Sequence, residues 1–284
     1  MTDTALATGL VAEAISEGVI GGRLWFYANY HCNLVCTYCL TESGPAVRRR
    51  IIDASMMLDL ARQAQELGFT SIGITGGEPF MIASMPALVE SIADVLPVIV
   101  LSNATLFTGR RLDRMAGFAG RDIQVQISLD APDPSANDTK RGEDNWADVA
   151  EAVPALVSRG VRVRLATTTE PGALSPADHE RLCVLHRSWG VPDEDHIVRP
   201  VVARGRALVD GIGIHADVGN LPAELCITAD GAFWSPFGPT VVKGRLDTDL
   251  LITRTTNPLS VPAAAMVRLA GGRPRGADAQ LGIR

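Results

Sequence analysis

The sequence predicts an α/β fold built on a parallel sheet, and three observations carry that reading. Short apolar runs of strand character recur six times between residues 22 and 204. Stretches with the three-to-four spacing of a one-sided helix separate them. Glycine or proline punctuates the junctions, as at Gly68, Gly160 and Pro176. Parallel strands are covered on both faces by crossover helices, so they read as continuous apolar runs such as Val98-Ile99-Val100-Leu101. Periodicity does not decide whether the sheet closes, because doubly wound sheets and barrels share this signature.

The elements follow in order. Leu6, Leu10, Ala14 and Ile15 mark a short amphipathic helix in an N-terminal segment, residues 1–21. Leu24-Trp25-Phe26-Tyr27-Ala28 is the first strand. Asp53 or Ser55 caps a helix to Leu67, stopped by Gly68. Strands at 71–75, 98–101, 123–128, 161–166 and 197–198 alternate with helices at 84–95, 108–115, 145–159 and 175–189, and a long loop follows the fourth strand. These units form one body over residues 22–205. In residues 206–270 the pattern weakens, leaving a hairpin over Cys226–Trp234 turned at Asp230-Gly231 and a helix over 263–269. Residues 271–284, rich in glycine and arginine, read as a disordered tail.

Composition narrows the function. A net charge of −6 with 26 basic residues argues against nucleic-acid binding, which needs clustered Lys and Arg. No apolar run approaches the roughly 20 residues of a membrane span and no secretory signal opens the chain, so a cytoplasmic protein without membrane partners is expected. Three of the five cysteines, Cys32, Cys36 and Cys39, fall within eight residues. Three thiols cannot pair among themselves, whereas closely spaced thiolates hold a soft metal centre and leave one position for another ligand. Zinc sites come as paired couples, and no second C-x2-C or H-x3-H couple follows.

The C-x3-C-x2-C spacing resembles the cluster loop of the radical S-adenosylmethionine (radical SAM) enzymes. The resemblance implies a partial (β/α)6 TIM-like barrel with a small C-terminal α+β extension. It also implies a [4Fe-4S] cluster on Cys32, Cys36 and Cys39 whose remaining iron chelates S-adenosylmethionine. Reductive cleavage then yields methionine and a 5'-deoxyadenosyl radical that abstracts a substrate hydrogen, with the electron coming from a donor such as flavodoxin or ferredoxin. Tyr38 stands where the family places an aromatic residue near the adenine. Gly76-Gly77-Glu78-Pro79, at the exit of the second strand, matches the motif that binds the cofactor amino group. Asn103 lies at the third exit. Ser128 and Asp130 at the fourth match an S-x-D that contacts ribose and carboxylate, and Arg141 matches an arginine that pairs with the carboxylate. Thr167 to Glu170 and Arg199 are placed to face cofactor or substrate.

The remaining candidates are weaker. His179 and His186 fall on an outer helix and are expected to be solvated, and His31, His196 and His215 either line the site or fill space. Cys183, among Leu182, Val184 and Leu185, is expected to be a buried thiol. The C-terminal segment resembles a degenerate SPASM or twitch domain, with Cys226 and Gly231 but no further cysteines, so one cluster is expected. Cys226, beside a turn in the segment expected to cap the barrel mouth, is assigned as hydrogen donor to the product radical. The expected enzyme is an epimerase or isomerase of natural product or peptide-modifying metabolism acting on a peptide or sugar-like substrate. The alternatives are a dehydrogenase or a carbon-sulfur bond-forming maturase, and, from another class, a non-catalytic metal-binding protein.

Overall fold

A computed structural model describes residues 3–272. Helix α1 (Asp3–Ser16) precedes six βα units: β1 (Arg23–Tyr27), α2 (Ala54–Glu66), β2 (Ser71–Thr75), α3 (Met85–Ala93), β3 (Val98–Ser102), α4 (Gly109–Arg114), β4 (Ile123–Ser128), α5 (Pro134–Arg141), α6 (Asn145–Ser158), β5 (Arg162–Thr169), α7 (Pro176–Ser188) and β6 (His196–Pro200). Then come α8 (Arg206–Val209), β7 (Leu225–Thr228), β8 (Gly231–Trp234), β9 (Thr240–Val242), β10 (Arg245–Asp247), β11 (Leu251–Thr253) and α9 (Ser260–Ala270). Strands β1 to β6 pair in parallel in chain order, in agreement with the partial barrel expected. No helix among the described residues is long and apolar enough to cross a membrane.

The alternation of each strand sorts its side chains between two layers. In β1, Leu24 and Phe26 join the main core beneath the helices, while Trp25 and Tyr27 point the other way into a second apolar cluster with Cys226 and Phe233. Helix α2 shows why the helices lie where they do. Met57, Leu60, Ala61 and Ala64 form one buried stripe, and the Asp53 carboxylate accepts from the Ser55 and Met56 N–H groups to cap it.

Three expectations need correction. The loop after β4 contains α5, whose residues are nearly all polar, so no apolar period betrayed it. Its start is set by the Asp133 cap and Pro134. The hairpin turns at Ala229-Asp230, one residue earlier than expected, because Thr228 pairs with Gly231. Thirdly, the C-terminal segment does not simply cap the barrel mouth. Strand β7 pairs in parallel with β1, Trp25 opposite Cys226, and β8 and β11 continue the same nine-stranded sheet. Arg204 ties β6 to this extension through two bonds to the Asp249 carboxylate, 2.9 and 2.7 Å. Of the expected tail, residues 273–284 lie outside the described residues.

Since β7 closes the free edge of β1, a chain ending at residue 205 leaves that edge and its apolar face uncovered. We expect this truncation to aggregate and to lose cooperative thermal unfolding. A soluble monomer with a sharp transition would mark residues 206–270 as a dispensable appendage.

Candidate active site

The three cysteines sit in the irregular connection between β1 and α2, so other elements must hold them. The Thr37 N–H donates to Lys140 O at 2.9 Å. Arg206 does more. Its N–H donates to Cys39 O at 2.9 Å, Nη1 to Cys36 O at 2.9 Å and Nη2 to Ser43 O at 2.7 Å. The preceding residue is Gly205 at φ +59, where a Cβ would stand 2.2 Å from Leu40 O. On the side of β1, Tyr27 Oη lies 3.0 Å from Thr41 Oγ1. Burial pushes the Cys32 thiol up to about 12 and raises Cys36, so both stay protonated until a metal displaces the protons.

The exit of β2 is locked to the same loop. The Gly77 N–H donates to Asn29 O at 2.8 Å and the Glu78 N–H to His31 O at 2.9 Å. Cβ atoms on Gly76 and Gly77 would stand 2.5 Å from Asn29 O and 2.2 Å from His31 O. The close approach these glycines permit is therefore to the cysteine loop itself. Glu78 is fully buried. Its carboxylate accepts from the Phe80 N–H and Ser102 Oγ, each 3.0 Å away, and from the Asn103 N–H at 2.8 Å. Burial still pushes its pKa up to about 7.

A buried polar network carries on around the strand exits. The Asp130 carboxylate accepts from the Thr168 N–H at 2.8 Å, from Arg141 Nη1 at 3.3 Å and from the Tyr38 hydroxyl. Arg141 Nε donates to Asn145 Oδ1 at 2.9 Å, and Asn145 Nδ2 to Asn103 O at 3.2 Å. Asn103 Nδ2 approaches Cys32 Sγ at 3.6 Å. Six of the expected site residues, Cys32, Tyr38, Glu78, Asn103, Asp130 and Arg141, thus belong to one connected set. Ser128 is half-buried nearby on β4.

Beneath this network the barrel interior opens into a cavity of about 650 Å³ that reaches from Tyr38, Cys39 and Gly76 down to Arg23 and Gly22. Four charged side chains line it: Arg23, Arg164, Arg199 and Glu224. Burial lowers the pKa of Arg164 and Arg199, and the nearby Arg23 adds to the effect on Arg164. Arg199 Nε donates to Thr168 Oγ1 at 3.3 Å. Gly73, an odd residue for mid-strand, is explained here, since a Cβ would stand 2.3 Å from the Trp25 indole. Cys226 shares the inner face of the sheet with Trp25 and Tyr27. It has no exposed surface, and Trp25 and Tyr27, not Cys226, line the cavity.

The family model of the Radical SAM superfamily matches residues 28–174, more than half of the chain. The chain belongs to the radical SAM superfamily. Among curated relatives, the GTP 3',8-cyclase of Synechococcus sp. (strain CC9605) is 25% identical over 224 residues, covering 72% of this chain and 62% of that protein. The GTP 3',8-cyclase of Tolumonas auensis is 29% identical over 134 residues, covering 46% and 39%. The chain therefore spans less than two thirds of the length of these relatives. Among solved structures, Streptococcus suis SuiB bound to S-adenosylmethionine superposes with a TM-score of 0.56 at 18% identity, covering 66% of this chain and 43% of that one. Native anSMEcpe with bound AdoMet and Cp18Cys peptide gives 0.56 at 12% identity, covering 87% and 82%. Both likenesses are of fold.

The cofactors of this superfamily member are a [4Fe-4S] cluster and S-adenosylmethionine, and the chain's donor set suits them. A single tetrahedral zinc draws its sulfurs to about 3.8 Å of one another. Among the described residues the ligand set drawn within 4.8 Å is His179, Cys183 and His196, and the three loop thiols are not such a set. Spaced more widely on one loop, they suit a multi-iron centre better than a single ion. Arg206 and Asn145 are the residues that sequence reading missed. Gly205 before Arg206 was the available signal.

Arg206→Ala removes two charge-assisted bonds to loop carbonyls, on the order of 1.5–3 kcal/mol each. We expect the variant to fold yet retain less than half the iron of the parent after anaerobic reconstitution and desalting. Gly77→Ala forces a clash with His31 O and should lose the cluster outright, read as iron content and visible absorbance.

Proposed function

We propose that this radical SAM enzyme abstracts a hydrogen atom from a small substrate bearing an anionic group, in a redox-neutral epimerisation or rearrangement. The carrying observation is the cavity, where three of four charged lining side chains are arginines. An arginine fork suits a carboxylate or phosphate, which it can hold in two places. The redox-neutral reading rests on cysteine usage within this chain, since Cys183 and Cys226 are too few to hold a second [4Fe-4S] cluster unaided.

In this reading the cluster on Cys32, Cys36 and Cys39, with S-adenosylmethionine bound, supplies the 5'-deoxyadenosyl radical. The chain's own residues do the rest. Gly76, Gly77 and Glu78 offer backbone carbonyls to the cofactor amino group, while the Glu78 carboxylate fixes the turn through Phe80, Ser102 and Asn103. Tyr38 faces the adenine. Ser128, Asp130 and Arg141 form the polar wall for ribose and carboxylate, with Asn103 steadying Cys32. Arg164 and Arg199 anchor the substrate anion so that its carbon framework points to the cluster loop. For inversion, Cys226 is the proposed donor: its S–H hydrogen passes to the substrate carbon radical, and the thiyl left on sulfur returns to the thiol with one proton and one electron from the external donor. Burial raises its pKa and preserves the S–H, and transfer requires Trp25 and Tyr27 to uncover it.

The relatives' activity favours a second reading, cyclisation of a purine nucleoside triphosphate, for which the same arginines serve the phosphates. The two readings separate on 5'-deoxyadenosine release by reconstituted enzyme under reducing conditions. Stimulation by GTP with a cyclised product selects the second. Stimulation by other anionic compounds without GTP turnover selects the first. With either substrate, Arg164→Ala and Arg199→Ala should each raise KM about tenfold or more at unchanged cofactor affinity. Unchanged KM in both sinks the anion assignment. Cys32→Ala, Cys36→Ala and Cys39→Ala should each abolish cofactor cleavage. Cys226→Ala should still release 5'-deoxyadenosine but form no inverted product, and full product formation removes the donor role.

A further inference from the structure

Outside the barrel, on the far face of the edge strand β6, stands a group the reaction does not use. His179 and Cys183 lie four residues apart on α7, hence on one helix face, and His196 opens β6 against them. Cys183 Sγ is 4.0 Å from His179 Nδ1 and 3.9 Å from His196 Nδ1, and the three ligand atoms all lie within 4.8 Å of one another. A tetrahedral zinc with Zn–S of 2.3 Å and Zn–N near 2.05 Å holds sulfur and nitrogen about 3.6 Å apart, a few tenths of an ångström less.

The hydrogen bonds behind this group fix its chemistry. Thr167 Oγ1 donates its hydrogen to Leu129 O at 2.7 Å, so toward His196 Nε2, 2.9 Å away, it can only accept. His196 therefore carries its hydrogen on Nε2, and the Nδ1 lone pair is left facing Cys183. Such an outer partner is what sets the tautomer of a metal-binding histidine. A second feature stands beside it. His186, expected to be solvated, is fully buried with no hydrogen-bond partner at either ring nitrogen. Its ring packs edge-on against His196 with centroids 4.4 Å apart. The buried Cys183 thiol and the half-buried His196 ring thus face each other across the contact between α7 and β6. His179 is exposed, which leaves a way in for an ion and room for a water as fourth ligand.

We propose that His179, Cys183 and His196 form a zinc site with one open position, stapling α7 to β6. Binding forms one zinc–sulfur and two zinc–nitrogen bonds and releases the Cys183 thiol proton to solvent. No electron moves. Soft thiolate with imidazole selects zinc over magnesium or calcium. The site lies apart from the cluster loop, and it holds whichever reading of the reaction is correct.

Zinc sulfate titrated into the iron-loaded enzyme should bind one equivalent beyond the iron, measured by elemental analysis after desalting. It should also raise the unfolding midpoint. The full-length chain carrying Cys32→Ala, Cys36→Ala and Cys39→Ala together should bind the same equivalent, which separates this site from the loop thiols. Cys183→Ser and His196→Ala should lose the zinc while keeping the iron content of the parent, so that loss of metal is not loss of fold. Thr167→Val, which removes the acceptor behind His196, should weaken zinc about 10- to 100-fold. Zinc retained by Cys183→Ser, or abolished only when the loop cysteines are replaced, overturns the proposal, as does no zinc retained by the parent.

Discussion

The structure depends on one constraint above the others, which is that three thiols on a loop without regular structure must be held at fixed separations. The loop cannot do this alone, because its backbone donors and acceptors have few partners within it. They are met instead by the β2 exit through Gly77 and Glu78, by Lys140 at the end of α5, and by Arg206 beyond β6. Each of these contacts is made to the loop's backbone groups, and the Thr41 and Tyr38 side chains add to them through Tyr27 and Asp130. The glycines at 76, 77 and 205 are required because backbone meets backbone there.

The buried polar network extends this constraint across the barrel mouth. Asp130 and Arg141 are both almost fully buried and form an ion pair at 3.3 Å, a costly arrangement unless further hydrogen bonds complete it. Thr168, Tyr38, Asn145 and Asn137 complete it, the last by accepting from the Asp130 N–H at 3.0 Å. Tyr38 links the network to the cysteine loop by one hydrogen bond to Asp130, and Arg141, Asn145 and Asn103 carry it on to Cys32, so a disturbance after β4 reaches the loop thiols by two routes. Satisfied networks of this kind specify one arrangement more than they add stability.

Much of this was legible in the sequence. The six strands stood out because burial on both faces makes their apolar runs continuous, and the cysteine spacing and Gly76-Gly77-Glu78 singled out two segments that the fold brings together. What escaped detection has physical reasons. Helix α5 has Ala136 as its one aliphatic residue and is defined by its Asp133 cap and its last-turn contacts. The pairing of β7 with β1 is a contact between distant parts of the chain, which no local pattern encodes. The pairing of Arg141 with Asp130 was not legible either, because the fold brings the two together across 11 residues. His186 lies on a helix that also bears many charges, and its burial is settled by packing against His196 and Trp189.

The pairing of β7 with β1 also bears on the order in which the molecule is completed. Trp25 and Glu224, joined by a hydrogen bond, are separated by 199 residues, so β1 is the first strand synthesised and, among β1 to β5, the last to receive both neighbours. Such distant pairing slows folding, and in the interval an apolar strand stands with one edge open. The cysteine loop waits too, because Arg206 must be made and seated before Cys36 and Cys39 are fixed. The full frame of the loop thus belongs to the finished barrel rather than to the nascent chain.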